Sequence, residues 1–201
     1  MPKKLVALAA LLSLTPLGSL ASARESTPVF FQAEFPSASL LRVDLRSGDV
    51  HVTGTSDNRV AVRFGGERAD DAAAVCRVSL VRAGTDGDLI IRGCPREHVQ
   101  VFVEVPERSN LRVRMPFGEL TISAVTGDKD VELHAGEVNL NIDKAGEYGA
   151  VDLSVLSGEI TARPFGVDRG GLFRSYATSA GGPYRLHAHV GAGTVLIRAK
   201  S

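Results

Sequence analysis

The chain has 201 residues, with 23 basic side chains against 23 acidic ones and no tryptophan. Balanced charge argues against a nucleic-acid binder, which needs a basic face. Beyond the first stretch no segment is apolar enough to cross a membrane.

Residues 1–23, "MPKKLVALAALLSLTPLGSLASA", open with Lys3 and Lys4 and continue in an apolar run from Leu5 to Leu14. The small residues Ala21, Ser22 and Ala23 follow. This is the layout of a secretory signal peptide, with cleavage expected after Ala23. Without Lys3 and Lys4 the charges stand at 21 basic against 23 acidic. Residues 24–201 are long enough for one domain with its own core. The expected location is extracytoplasmic, either periplasmic or secreted to the cell surface, with no membrane insertion after cleavage.

"GGERADDAAAV", residues 65–75, is the one plausible helical turn. Next come Cys76 and Cys94, separated by two strand-like runs and the turn signal "AGTDG". A hairpin centred on Thr85 sets the cysteines opposite each other, and an oxidising compartment favours a disulfide. A two-residue turn at Asp86-Gly87 would set them apart.

A pattern then recurs. In "VELHAGEVNLNI" the apolar residues are Val131, Leu133 and Ala135, then Gly136, then Val138, Leu140 and Ile142. Their parity changes across the glycine. Similar changes occur at Gly48, Gly118 and Gly158, and around Gly191 and Gly193; a weaker copy spans Cys76 to Ile91. Period-2 alternation marks a strand with one buried face. An unbroken strand cannot swap parity without exposing its apolar set. Each glycine therefore reads as a corner joining two short strands that face one core.

Leu111, Val131 and Val151 begin successive first strands at a regular interval, which suggests stacked coils. The expected fold is all-β: a β-solenoid, or single-stranded β-helix, of coils of about 20 residues. Residues 106–201 would form the coils and a C-terminal cap. Residues 24–105 would form an antiparallel N-terminal part containing the hairpin. A β-sandwich with glycine-rich hairpins is the competing arrangement.

Residues 164–183 interrupt the interval. They read as a long loop that either caps the last coil or carries recognition through Phe173, Arg174 and Tyr176. Asp49, Asp88, Glu119, Glu137 and Glu159 follow glycines, so stacking would align carboxylates, a geometry a calcium ladder could use. His187 and His189 form an H-x-H pair able to hold zinc or copper. No third ligand is evident, so surface histidines and no bound metal are expected. No nucleophile elbow, phosphate loop, zinc-protease motif or dinucleotide fingerprint is present, and no cofactor is expected.

The segments "SGDVHV", "FGELTI", "AGEVNL" and "SGEITA", with the tail from Gly171 to Arg198, resemble an uncharacterised family of exported bacterial β-strand-repeat proteins that carry an adhesin label. The resemblance spans residues 38–200. It implies a β-helix-like fold outside the cytoplasm and transfers no catalytic residue. The expected role is a non-catalytic structural or interaction module recognising an envelope protein or a glycan. The alternative is a carbohydrate-active enzyme of the β-helix type, a polysaccharide lyase or hydrolase.

Overall fold

The computed structural model describes residues 28–200. The expected signal peptide, residues 1–23, lies outside them. In chain order the strands are β1 (Phe31–Glu34), β2 (Leu40–Asp44), β3 (Ser47–Thr55), β4 (Arg59–Gly65), β5 (Arg77–Ala83), β6 (Asp86–Arg92) and β7 (Gln100–Pro106). The long strands β8 (Asn110–Ser123), β9 (Lys129–Ile142), β10 (Tyr148–Ala162), β11 (Val167–Ser179) and β12 (Tyr184–Ala199) follow. A short α-helix, α1 (Ala69–Val75), joins β4 to β5, and 3-10 turns lie at Ala145–Glu147 and Arg163–Phe165.

All the strands belong to one open sheet with mixed parallel and antiparallel pairing. Its order is β1-β4-β7-β3-β8-β9-β12-β10-β11, with β2 and β6 alongside the first half of β8 and β5 outside them. The long strands are creased. In β9, Lys129, Val131 and Leu133 are buried before Gly136, and Val138, Leu140 and Ile142 after it. Gly136 has φ +135°, which a side chain resists but glycine accepts. Both limbs of the strand thus bury the same side of the sheet, in one aliphatic cluster.

The crease is shared. Gly48 lies opposite Gly118, Gly118 opposite Gly136, Gly136 opposite Gly193, and Gly193 opposite Gly158. At each of these the backbone has φ between +129° and +142°. Gly191 is not in this column and has no positive φ. Gly87 marks no crease either: Gly87, Leu89 and Ile91 keep one parity on β6.

The limbs must fold towards each other. β8 and β9 run parallel, yet only residues 124–128 join them. A straight strand of 14 residues would span about 46 Å, and five residues reach at most about 18 Å. A parallel connection ordinarily needs a dozen residues or more. The crease brings the end of one strand back near the start of the next.

The short return loop is held by a buried cation. Lys129 Nζ donates to the carbonyls of Val125 (2.8 Å) and Gly127 (3.2 Å) and to Tyr148 OH. Burial pushes the Lys129 ammonium down to about 8 and raises the Tyr148 hydroxyl. Lys129→Met leaves two buried carbonyls and a hydroxyl without a donor. It should destabilise the chain by about 1–3 kcal/mol, measured by urea denaturation. Wild-type stability in this variant would show that the loop does not depend on the ammonium.

The sequential β-solenoid is not what the chain forms. β8 and β9 stack with Val113 opposite Val131, but the next place belongs to β12. β10 follows, so Val131 faces Ala188 and Ala188 faces Leu153. The cause is β11, which runs antiparallel to β10 and returns the chain to the start of the first limb. The turn then crosses the start of β10, where Ala180 N donates to Gly149 O (2.7 Å). A Cβ on Gly149 would overlap the Gly182 carbonyl, so two glycines permit the crossing.

The expected antiparallel N-terminal part is likewise mixed. β2 and β3 pair in parallel with the two limbs of β8, whereas β1-β4-β7 and β5-β6 are antiparallel. The β5–β6 hairpin turns at Gly84-Thr85, with Ala83 opposite Asp86, neither register considered above. Cys94 lies beyond the ladder, after Gly93 with φ +79°, and there it reaches Cys76. The two form a disulfide with Cα atoms 4.6 Å apart.

Candidate functional site: a notch in the crease

β2 and β3 together make one rung of the creased sheet. β6 continues its first limb outward and β7 its second. Between β6 and β7, however, residues 93–99 replace the corner. Ser47 pairs with Phe117 on one side, and among the described residues no strand lies opposite Leu45–Ser47 on the other.

The gap is a cleft of about 1110 Å³, reaching from Arg46 and Gly48 to Arg96 and His98. A smaller cavity of about 340 Å³ runs beneath the 93–99 segment, against Cys94 and Val101. The disulfide therefore anchors one wall of both. Phe117 stands at the rim with 60% of its surface exposed.

Both signs of charge line the cleft. Arg92 bonds Asp44 (3.0 Å), and His98 faces Glu67 (3.5 Å). Asp49 accepts from Gln100 Nε2 (2.9 Å) and sits 3.0 Å from His51 Nε2. An exposed ring beside paired polar groups suits recognition of a surface by apolar contact and hydrogen bonds. Phe117 escaped the sequence reading. The available signal was the ring itself: the equivalent positions on the other rungs are Ala135, Ala192 and Ser157.

The residues expected to bind are placed otherwise. The expected 164–183 loop is largely β11, the last strand of the sheet. Arg174 and Tyr176 lie opposite the buried Val155 and Leu153, on the inward side of β11; Tyr176 packs against the core, and Arg174 stays exposed. Arg169 reaches across to Ser175 O (2.8 Å) and lies 5.8 Å from the Tyr176 ring centre. Arg174 Nε donates to Gly170 O (2.9 Å). Phe173 alone projects outward, 79% exposed beside the exposed Leu172.

Inward charges on an edge strand discourage further strand addition. A second β11 added antiparallel with its inward face matched would set Arg169 against the other copy's Arg174. Arg169→Val with Arg174→Val should therefore produce concentration-dependent self-association in sedimentation velocity. Unchanged sedimentation of the double variant would show that the arginines do not guard this edge.

The aligned acids occupy the outer face of the second limb. Asp49 lies opposite Glu119, and Glu119 opposite Glu137. Same-strand donors serve two of the following acids: Asn139 bonds Glu137 (2.7 Å) and Thr161 bonds Glu159 (2.9 Å). Asp88 belongs instead to the first limb, where Arg42 bonds it (3.3 Å). That limb carries an ion-pair lattice. Arg112 and Arg114 both bond Asp130 (2.8 and 3.0 Å), and Arg114 also bonds Glu132 (3.0 Å). Burial alone would raise the Asp130 carboxyl; the two guanidinium groups more than offset it and hold it below its usual range.

His187 and His189 face outward on β12. His187 Nδ1 lies 3.7 Å from Asp152 Oδ2, and His189 Nδ1 lies 2.8 Å from Ser154 Oγ.

No protein-family description matches the chain, and no curated protein matches it. Solved structures similar to it include the following three. One is a candidate cell adhesion protein from Clostridium sporogenes, at 12% identity and TM-score 0.49, over 85% of this chain and 98% of that one. A candidate adhesin from Bacteroides fragilis follows at 9% identity and TM-score 0.28, over 84% and 95%. A candidate adhesin from Parabacteroides merdae stands at 10% identity and TM-score 0.30, over 84% and 80%.

Proposed function

We propose that the chain is an exported, non-catalytic interaction module, adhesin-like in recognising a protein or glycan surface through the notch. The observation that carries this reading is the interrupted rung, which among the described residues leaves Leu45–Ser47 without a strand opposite and Phe117 exposed beside it. Elsewhere the crease is closed by matched glycines, so the gap is local. The Cys76–Cys94 bridge supports an oxidising, extracytoplasmic setting. It also fixes the 93–99 wall, and a rigid wall lowers the ordering cost of binding.

The test is photo-crosslinking in the native envelope from a probe at Arg46, paired with a glycan array. A protein or glycan bound by the wild type and weakened at least tenfold by Phe117→Ala is expected, as for the loss of one buried aromatic anchor. Binding indifferent to Phe117 would remove the notch from the account. Cleavage of a polysaccharide by the purified protein would overturn the non-catalytic reading.

A further inference from the structure

The insertion of β12 beside β9 has a chemical result on the outer face of the first limb. The two strands run parallel, with His187 opposite Asp130 and His189 opposite Glu132. An H-x-H pair thus stands against a D-x-E pair. All four residues alternate with buried neighbours: Val131 and Leu133 on β9, Leu186, Ala188 and Val190 on β12. They project from one face as a square, about 4.8 Å across the strands and about 6.6 Å along them.

Oxygen atoms of Asp130 and Glu132 and a ring nitrogen of His187 already lie within 4.8 Å of one another. A groove of about 700 Å³ opens over these three residues and Asp152. Asp152 and Ser154, both on β10, face the Nδ1 atoms of His187 and His189. Such outer contacts orient an imidazole and leave its Nε2 as the donor.

We propose that Asp130, Glu132, His187 and His189 form a binding site for a borderline divalent cation of the zinc class. Mixed imidazole and carboxylate donors suit zinc, whereas calcium takes six to eight oxygens. Zinc-to-ligand distances of about 2.0–2.2 Å put tetrahedral donors about 3.5 Å apart. The donors of Asp130, Glu132 and His187 need close by only about 1 Å, and His189, opposite Glu132, joins them by a change of rotamer on the open sheet face. Arg112 and Arg114 pair with these carboxylates. Their side chains are 47% and 37% exposed, so each can swing into solvent as the cation enters. None of the four donors lines the notch, and the site does not depend on the reading given for it.

Isothermal titration of zinc chloride into chelator-stripped, untagged protein tests the site. One zinc per chain is expected in the wild type. Loss of a ligand in His187→Ala or Asp130→Asn should weaken binding at least tenfold. His134→Ala, at the exposed crease position, should leave affinity unchanged. Arg114→Ala removes the competing cation and should tighten binding several-fold, an effect that a merely structural role for these residues would not produce. Cobalt(II) absorption gives a second readout, with intense tetrahedral bands in the wild type that His187→Gln removes. Thermal melts in chelator confirm that the variants fold. No saturable zinc binding by the wild type overturns the site; so does affinity that survives both His187→Ala and Asp130→Asn.

Discussion

Gly136→Ala is expected to cost about 4 kcal/mol or more, enough to consume much of the stability of a single domain. Two effects add. Gly136 holds φ +135°, and forcing a Cβ into that region costs about 1–3 kcal/mol. The Cβ would also overlap the backbone carbonyl oxygen of Gly118 on the neighbouring rung. No side chain can move aside, because the obstacle is main chain. Relief requires the β8–β9 ladder to part at the crease, and Gly118 in turn abuts Gly48. Gly146→Ala provides the contrast. A Cβ there meets nothing within 4 Å, and φ is not positive. Its stability should stay within about 0.5 kcal/mol of wild type, or rise slightly through a stiffer unfolded chain. Urea denaturation of both variants separates the outcomes. Equal stability of Gly136→Ala and Gly146→Ala would remove the matched glycines as the determinant of the crease.

The crease itself is legible in the chain, because parity is a local property. Val131 and Leu133 before Gly136, and Val138 and Leu140 after it, can all be buried only if the strand turns there. The order of the rungs is not legible in the same way. Every rung carries the same glycine at the same place, so β10 and β12 compete for the position beside β9 on equal local terms. What decides is the reversal through β11 and the crossing at Gly149 and Gly182, both long-range. β11 hid for a different reason. As the last rung it has no neighbour on one side among the described residues, and after the buried Val167 its inward positions are Arg169, Arg174, Tyr176 and Thr178 rather than aliphatic residues. Its alternation therefore vanished, and a strand read as a loop. The metal-type square was half visible. His187 and His189 announce themselves, but Asp130 and Glu132 lie more than fifty residues earlier, and only the rung order brings them together. The notch is a missing pairing, and a missing pairing leaves no motif.

Replacing Cys76 and Cys94 by serine should cost about 3 kcal/mol. The bridge joins residues 18 apart, and closing a loop of that size in the unfolded chain carries about that entropy. The loss should be felt unevenly. β5 pairs with β6 alone and is largely exposed. β6 in turn is tied to the main sheet through only four residue pairs with β2. Without the bridge, the 93–99 wall depends on this slender attachment. The long rungs β9, β12 and β10 are paired along their whole lengths and bury both limbs. Hydrogen exchange of the serine variant should therefore quicken first across residues 77–99, while residues 129–142 and 184–199 exchange only through global unfolding. Recognition at the notch should weaken in step with the 93–99 wall, whereas zinc affinity at the β9–β12 face should persist, since none of its donors touches the hairpin. A variant that keeps wild-type melting temperature and wild-type exchange at residues 93–99 would show that packing, and not the disulfide, positions that wall. Uniform acceleration of both regions would show that the hairpin and the long rungs unfold as one unit.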